Sequence, residues 1–360
     1  MKIIKSFLTI IAYLLASVVI ICAIGSAICK FTDLSEDSFI QAFGYIPFYW
    51  MLVLSAIVLV LFLLLRNFRI ALPYLGLLII FTLFLNDFSL NYLHPRRPVL
   101  NDHYDSLSIV AYNVKHFDYG IDHIAEFIKK SNYDVVLLSE SVFTTEKLDY
   151  LKKRLPDYSI LSDNGHDLSI LSKYPVMNYK IIELPTYLAS LSSGNDIDSI
   201  KTSGIHRSFV HASISVKGTI INVLSLRLIA GRPKDKSVHE EIRWGKYLLK
   251  AQNDELSTFL NYVQTLKGPV IFGGDLNVSP NTEIIHRINH YANDAFLDDH
   301  TFGSFTFKIS FPTMRLDYLF RSKDIISEKS MIIKPNTILS DHFPISAEFL
   351  IPRKIPQANR

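Results

Sequence analysis

The stretch from Val270 to Asn277, which reads VIFGGDLN, constrains the fold of this chain most. Its apolar, β-branched and aromatic start predicts a buried strand, and the two glycines allow the backbone to pass close to a neighbouring group. Because strand side chains alternate, Asp275 and Asn277 are expected on the same side. A carboxylate beside a carboxamide suits a hard cation next to a phosphate. A lone stretch of this kind, however, is more commonly a strand end followed by a capped turn.

Three long apolar runs occupy the first 90 residues, at about 6–29, 47–65 and 70–86. Each is near the roughly 20 residues that a helix needs to cross a bilayer. A signal peptide competes for the first run, but no clean cleavage pattern follows it and two more apolar runs come after. The sequence therefore predicts three transmembrane helices that anchor residues 1–90 in a lipid bilayer.

The basic residues flanking these runs predict the orientation of the chain. Lys2, Lys5, Arg66 and Arg69 fall on one side of the predicted spans, whereas the loop after the first span is mainly acidic. The positive-inside bias places the N-terminus in the cytoplasm. Three crossings of a bacterial inner (plasma) membrane would then make the remaining chain extracytoplasmic, in the periplasm. Two crossings would leave it cytoplasmic, and two arginines near 96 argue weakly for that alternative.

Cysteine content and charge exclude some functional classes. The chain has two cysteines, Cys22 and Cys29, and both fall in the first apolar run. The remaining chain therefore has neither a disulfide framework nor thiol chemistry. A formal net charge of +3 gives no electrostatic argument for nucleic-acid binding by the whole chain.

After a polar linker at 91–106, residues 107–352 show the pattern of an α/β domain. Helical periodicity is present at about 121–130, 145–155 and 238–266. Strands are predicted at 107–112, 134–140, 168–172, 209–216, 219–228, 270–275, 315–320 and 344–350. Strands that alternate with helices, together with paired strands, predict mixed sheets covered by helices.

Polar residues stand at the predicted C-terminal ends of these strands or just beyond, where α/β folds place their chemistry. They are Asn113, Glu140, Asp275, Asn277, Asp317, Asp341 and His342. Taken singly, such residues are more often turn formers or solvated groups. Taken together, they suit phosphoester chemistry.

The residue types predict separate roles in such chemistry. Glu140 offers an oxygen ligand for Mg²⁺, and Asp275 can orient or deprotonate an attacking water. Asn113 and Asn277 can donate to phosphate oxygens without adding negative charge. His342 can supply positive charge or a proton as the transition state forms.

Asp317 is a natural partner to hold the imidazole of His342 in one tautomer and to raise its basicity.

Six segments in this order resemble the endonuclease/exonuclease/phosphatase superfamily, which has the DNase I-like fold. The segments are Tyr112-Asn113-Val114, Leu138-Ser139-Glu140, Ile170–Pro175, Gly274–Asn277, Arg315–Tyr318 and Ser340-Asp341-His342. The resemblance implies a four-layer α/β sandwich, with two mixed β-sheets face to face and helices outside. It also implies metal-dependent cleavage of a phosphoester by an activated water.

The resemblance further implies which residues do the work. Asp275, His342, Asn277, Asn113 and Asp317 would be catalytic. The metal, Mg²⁺ or alternatively Mn²⁺, would be held by Glu140 and Asp341.

One departure from the family pattern falls in the strand at 219–228. The family commonly ends this strand with a His-Leu pair, and here Arg227 is the best positional match. A slip in register would instead bring Ser225 or Asn222 to that place. Arginine can hold a phosphate oxygen through its fork of donors, but it cannot act as a general acid because it stays protonated.

The sequence thus predicts a membrane-anchored, divalent-metal-dependent phosphoesterase. Nucleic acid, a phospholipid headgroup and a phosphorylated metabolite remain open as substrates, and no feature indicates a protein partner. The alternative is a catalytically silent membrane module that uses the same fold for binding. The missing histidine favours the binding module slightly, and the intact acidic and amide residues favour the enzyme more.

Overall fold

A computed structural model describes residues 2–34, 39–46, 48–85, 103–162, 166–185, 207–230, 238–298, 305–308 and 314–353. The helices are α1 Lys2–Phe31, α2 Gln41–Gly44, α3 Phe48–Leu64, α4 Phe68–Leu85, α5 Ile121–Ser131, α6 Thr145–Arg154, α7 Val238–Thr265 and α8 Glu283–Tyr291. The first six strands are β1 Tyr104–Asn113, β2 Val135–Ser139, β3 Ser159–Leu161, β4 Leu168–Ser172, β5 Val176–Glu183 and β6 Ser208–Val216. The other six are β7 Thr219–Ser225, β8 Val270–Asp275, β9 Asn293–Asp294, β10 Asp317–Arg321, β11 Ile326–Ile332 and β12 Ile345–Pro352.

The strands form two six-stranded sheets. The first has the order β11-β12-β1-β2-β4-β3 and the second the order β5-β6-β7-β8-β10-β9. Each sheet contains one parallel pair, β1 with β2 and β7 with β8, and its other pairs are antiparallel. The prediction of mixed sheets is confirmed.

Alternating side chains explain how the layers stack. Ile109 and Ala111 of β1 pack in the core between the sheets, against residues of the second sheet such as Val223. Val110 and Tyr112 of the same strand face outward and pack with the helices α5 and α6. A third cluster lies between the outer face of the second sheet and α7 and α8. The predicted helix–sheet–sheet–helix sandwich is therefore present.

The three predicted membrane spans are all helical, but they differ in length. Helix α1 has 30 residues and, within the described part of the chain, is the single helix long and apolar enough to cross a membrane. Helices α3 and α4 have 17 and 18 residues, with shorter strongly apolar parts, and fall short of the roughly 20 residues needed. The structure therefore supports one candidate span rather than three. A membrane anchor and a signal sequence would both contain such a helix.

The segment after α1 contacts the sandwich, which sequence periodicity did not indicate. Residues 39–46 fold back on α1, where the hydroxyl of Ser26 donates to the carbonyl of Phe43 at 2.8 Å. On its other side this segment packs against α7 and the chain before α8. There the Ser279 hydroxyl donates to the Gly44 carbonyl at 2.5 Å, and Tyr45 packs on the outer core of the second sheet. The apolar N-terminal helices and the sandwich are thus joined by polar contacts. Most of the predicted linker at 91–106 lies outside the described residues.

Candidate active site

The predicted site residues come together at one end of the sandwich, although not all at strand C-termini. Asn113 ends β1 and Asp275 ends β8, as expected, and Glu140 follows β2 directly. Asp317 is instead the first residue of β10. It lies beside Asp275 because β10 runs antiparallel to β8 and the two residues are register partners.

Asp341 and His342 likewise precede β12, which is antiparallel to β1. Antiparallel neighbours bring a strand start and a strand end to the same edge of a sheet.

Both glycines before Asp275 are required by close backbone approaches. A Cβ at Gly273 would lie 2.3 Å from the Tyr318 carbonyl oxygen, and a Cβ at Gly274 would lie 2.2 Å from that of Leu226. Gly274 also has a φ of 137°, a conformation open to glycine but not to other residues. The predicted reason for the two glycines is confirmed, and they allow β8 to pass between its neighbours on the way to the site.

Asp275 is fully buried and is oriented by an amide. The Asn113 side-chain nitrogen donates to Asp275 at 2.9 Å and to Glu140 at 3.1 Å. Burial raises the pKa of Asp275 above its usual value, and Asp317 raises it further, against the opposing effects of His342 and Arg227. Asp275 is therefore a more basic carboxylate than a solvated aspartate.

His342 and Asp317 form a buried pair. The Nδ1 atom of His342 lies 2.7 Å from an Asp317 oxygen, with side-chain exposures of 6% and 1%. Burial alone would lower the pKa of His342, but the Asp317 and Asp275 carboxylates outweigh it and raise that pKa to about 9. The imidazole is thus cationic at neutral pH, and its Nδ1 proton points at Asp317.

Asn277 does not lie on the same side as Asp275 through strand alternation, so that prediction is wrong. The strand ends at Asp275, and Asn277 adopts a left-handed conformation with a φ of 53°. Its backbone N–H donates to Asp275 Oδ1 at 3.0 Å, and its side-chain nitrogen donates to the Leu228 carbonyl at 3.0 Å. A turn therefore brings Asn277 back to Asp275, and one amide proton of its side chain is already used by the protein.

Arg227 points into the site and is surrounded by carboxylates. Its terminal nitrogens donate to Glu140 at 2.6 Å and to Asp167 at 2.8 Å, and its Nε lies 3.9 Å from Asp275. Burial opposes the charge of Arg227, yet the three carboxylates together raise its pKa above the usual value. The guanidinium therefore balances the negative charge of the site, while its two terminal nitrogens already bind protein oxygens.

Sequence reasoning missed Asp167, which is 1% exposed and holds Arg227 in place. Its one signal is a carboxylate directly before the apolar strand β4.

Sequence patterns also gave no sign of His116 as a site residue. Its Nε2 lies 3.5 Å from Glu140 Oε2, so it borders the site.

Glu140 and Asp341 lie at the more open part of the site. Their side chains are 17% and 15% exposed, against 1% for Asp275 and Asp317. Lys115 pairs with Asp341 at 3.1 Å, which raises the pKa of the lysine.

Among the described residues, ligand atoms of Asp275, Asp317 and His342 also lie within 4.8 Å of one another, close enough to hold a metal ion. This group differs from the pair Glu140 and Asp341 that the resemblance implied.

Backbone conformations that L-residues rarely adopt are concentrated at this site. Glu140 and Asn277 have φ values of 53°, and the three residues Lys115, His116 and Phe117 have positive φ in succession. Such conformations persist where the surrounding structure fixes them, and they cluster at functional sites. Within the 115–117 loop, the Lys115 side chain contacts Asp341 and the His116 side chain contacts Glu140.

A two-sheet α/β sandwich with acidic, amide and histidine side chains at one end defines the DNase I-like class. The model of the endonuclease/exonuclease/phosphatase family matches residues 110–342. The chain therefore belongs to this family, and the resemblance seen in the sequence is confirmed. No curated protein matches the chain.

Solved structures share the fold at low sequence identity. An endonuclease/exonuclease/phosphatase from Bacteroides vulgatus has a TM-score of 0.51 and 15% identity, over 69% of this chain and 99% of that one. D. rerio TDP2 in complex with a single-strand DNA product has a TM-score of 0.51 and 18% identity, over 68% and 99%. Beta toxin from Staphylococcus aureus has a TM-score of 0.50 and 19% identity, over 67% and 99%. These similarities extend across the sandwich and establish the fold.

Proposed function

We propose that this protein is a membrane-anchored, divalent-metal-dependent phosphoesterase. The observation that carries the proposal is a buried carboxylate and a buried imidazolium held together at one end of the sandwich. Asp275 is a buried carboxylate with a raised pKa, and His342 is a buried imidazolium. A carboxylate that can accept a proton and an imidazolium that can donate one are suited to act as base and acid in one reaction.

Glu140 and Asp341 are the proposed metal ligands. Both offer carboxylate oxygens at the more open part of the site, which fits a cation that keeps several waters and binds substrate phosphate. When bound there, Mg²⁺, or Mn²⁺ in its place, would neutralise charge that develops on the phosphate oxygens. Asn113 and Arg227 hold one oxygen of Glu140, which leaves the other directed toward His116 and the opening.

Asp275 is the proposed base for the attacking water. Its raised pKa strengthens it as a proton acceptor, and the Asn113 amide fixes the carboxylate so that one oxygen is held by protein. Asn277 closes the other side through its backbone N–H. The second amide proton of the Asn277 side chain is then available to a phosphate oxygen.

His342 is the proposed electrophile. Because Asp317 accepts from Nδ1, the Nε2 proton is the one that can reach a phosphate oxygen as negative charge develops. Asp317 acts through His342, since it keeps the ring cationic and fixes its orientation.

Arg227 is proposed to position the site rather than to transfer a proton. It holds Glu140 through one nitrogen and is itself held by Asp167 through another. The phosphate contact predicted from the sequence would use donors beyond these two bonds. The positive charge of Arg227 also offsets the repulsion between the Glu140 and Asp275 carboxylates.

The N-terminal helices are proposed to hold the catalytic domain at the extracytoplasmic face of the membrane. Residues 39–46 follow α1, and they form hydrogen bonds with α7 and with Ser279 of the catalytic domain. A loop and a domain joined by polar contacts lie on the same side of a bilayer. If Lys2 and Lys5 hold the N-terminus in the cytoplasm, α1 crosses the bilayer and places both residues 39–46 and the catalytic domain outside.

A cysteine-labelling experiment tests this topology. A cysteine replaces the exposed Asp149 of α6 in the full chain, and intact spheroplasts are treated with a membrane-impermeant maleimide. Labelling before lysis supports the extracytoplasmic placement, whereas labelling only after lysis contradicts it.

The enzymatic proposal is tested with the full chain in detergent micelles. Hydrolysis is measured with Mg²⁺, with Mn²⁺ and with EDTA on single-stranded DNA, RNA, sphingomyelin vesicles, a phosphorylated sugar and bis-p-nitrophenyl phosphate. Turnover that requires metal and is lost in Asp275→Asn and His342→Gln supports the proposal, and the preferred substrate identifies its class. Asp149→Asn and His123→Gln, at exposed positions, serve as matched controls.

No turnover by a folded, metal-loaded protein on any of these substrates would overturn the enzymatic proposal. It would favour the alternative of a membrane-anchored binding module with the same fold.

A further inference from the structure

A second cluster of metal-ligating side chains lies where the end of α1 meets α8. It is separate from the phosphoester centre, which is formed by Glu140, Asp275, Asp317, Asp341 and His342. His286 and His290 are one helical turn apart on α8, and their ring centroids are 4.7 Å apart. Asp33, just after α1, places Oδ1 3.2 Å from His286 Nε2 and 3.9 Å from His290 Nδ1. Three side chains from two distant parts of the chain thus converge on one point.

We propose that Asp33, His286 and His290 bind a Zn²⁺ ion that joins the N-terminal helix α1 to the catalytic domain. Ligand atoms of the three residues lie within 4.8 Å of one another. Tetrahedral Zn²⁺ with bonds of about 2.0–2.2 Å places its ligand atoms roughly 3.4 Å apart. The Asp33 oxygen is 3.2 Å from His286 Nε2 and 3.9 Å from His290 Nδ1, which are distances on either side of that value.

The ligand types fit this ion. Two imidazoles from one face of a helix and one carboxylate form a mixed nitrogen and oxygen set, which Zn²⁺ accepts readily. Asp33 is 77% exposed and His290 50% exposed, so a water can complete the coordination. His286 is 18% exposed and is the fixed member of the set.

The position of Asp33 is set by packing on both sides. Upstream, the Cys29 thiol donates to the Ile40 carbonyl at 3.0 Å, which holds the end of α1 against residues 39–46. Downstream, Gly44 lies so close to the backbone of Asn281 and Thr282 that a Cβ would be 2.7 Å from the Asn281 carbonyl oxygen. The cluster is therefore located where α1 and α8 are already held against each other.

Zn²⁺ at this point would strengthen that contact. The same contact reaches a residue of the phosphoester centre, because Gln252 of α7 accepts a hydrogen bond from Tyr45 and donates one to the Asn277 carbonyl at 3.4 Å. Occupancy of the cluster would thus stabilise the docking of the 39–46 segment against α7 and α8.

The experiment uses the full chain in detergent micelles, stripped with a chelator and then saturated with Mg²⁺. Zn²⁺ is titrated by isothermal calorimetry, with Co²⁺ absorption as the test for tetrahedral coordination. We expect Asp33→Asn and His290→Gln, both at exposed positions, each to weaken Zn²⁺ binding by at least about tenfold. His286→Gln with His290→Gln should abolish it, and His123→Gln on α5 should leave it unchanged.

Hydrogen–deuterium exchange supplies the structural readout. Zn²⁺ should slow exchange of the 39–46 backbone in the wild type and leave it unchanged in Asp33→Asn. Equal Zn²⁺ affinity in the wild type and in both single variants would overturn the proposal. Binding that leaves exchange of 39–46 unaltered would overturn the joining of α1 to the catalytic domain.

Discussion

The molecule contains two clusters with similar ligand types and opposite surroundings. The central cluster, Asp275 with Asp317 and His342, is almost fully buried, and the outer cluster, Asp33 with His286 and His290, is largely exposed. Strand ends fix the central residues, whereas the outer cluster depends on a contact between two separate helices. In the first, burial raises the pKa of Asp275, and the neighbouring carboxylates raise that of His342. In the second, Asp33 and His290 are at least half exposed to water.

The surroundings of the charges suit the central cluster to catalysis and the outer cluster to ion binding. Inside the sandwich each charge is answered by a partner, such as Asn113 for Asp275 and Asp317 for His342. The energy of these interactions is available to a reaction because the groups are held in place before substrate arrives. The outer cluster offers ligand atoms without this degree of fixation, which suits binding of an ion rather than catalysis.

The largest expected effect is the loss of activity in Asp275→Asn. An amide cannot accept a proton from water, so kcat should fall by about 10³-fold or more. Removal of a buried carboxylate with a raised pKa should leave the protein as stable as the wild type or more so. Steady-state kinetics and denaturant unfolding measure the two effects, with Asp149→Asn as control. A variant with more than a tenth of wild-type kcat would contradict the role of Asp275.

The second effect concerns Arg227, whose positive charge offsets the carboxylates of Glu140, Asp167 and Asp275. Arg227→Met leaves Glu140 and Asp167 without their cation, so the free energy of unfolding should fall by about 3 kcal/mol. The exposed Arg154→Met on α6 should change it by less than about 0.5 kcal/mol. Adding Asp167→Asn to Arg227→Met should restore part of the loss. Equal free energies of unfolding for Arg227→Met and Arg154→Met would contradict the prediction that the buried arginine contributes more to stability than the exposed one.

The third effect is a pH dependence set by Asp317. In the wild type the pKa of His342 is raised to about 9, so the pair stabilises the fold fully below pH ~6.5 and loses that contribution as pH rises through about 9. Asp317→Asn should lower the pKa of His342 and shift this loss to lower pH. Unfolding free energies of metal-free protein at pH ~6, ~7.5 and ~9.5 measure it. Parallel pH profiles for wild type and variant would contradict the pairing.

The smallest expected effect is at the outer cluster without metal. Because Asp33 is 77% exposed, Asp33→Asn should alter the free energy of unfolding by less than about 0.5 kcal/mol in EDTA. The same change should remove the stabilisation that Zn²⁺ gives to the wild type. Thermal unfolding with and without Zn²⁺ separates the two results. A large loss in EDTA would mean that the ion pairs themselves hold α1 to α8.

Much of the sandwich follows from sequence patterns because its central strands are apolar on both faces. The strands β1, β2, β4, β6, β7 and β8 were all predicted close to their observed positions. The edge strand β5 was not, since most of its side chains are exposed and its pattern is not that of a buried strand. β11 was also missed, because a bulge between Ser327 and Lys329 breaks its alternation.

The site residues likewise divide into those that sequence patterns predict and those that they do not. The glycines before Asp275 and the pairing of Asp317 with His342 could be anticipated from residue type and position. Asp167 could not, because its significance depends on Arg227, which is 60 positions away in the chain. The contact of residues 39–46 with α7 likewise has no local pattern, since it depends on how α1 packs.

The most direct test of the central claim is a metal titration of phosphoester hydrolysis. The rate of bis-p-nitrophenyl phosphate cleavage by the full chain in micelles is followed against Mg²⁺ for the wild type, Glu140→Gln and the control Glu146→Gln on α6. The account predicts a saturable rise in the wild type and the control, and a half-saturating Mg²⁺ concentration at least about tenfold higher in Glu140→Gln. A rate that is unchanged in EDTA, or titration curves that coincide for Glu140→Gln and wild type, would contradict it.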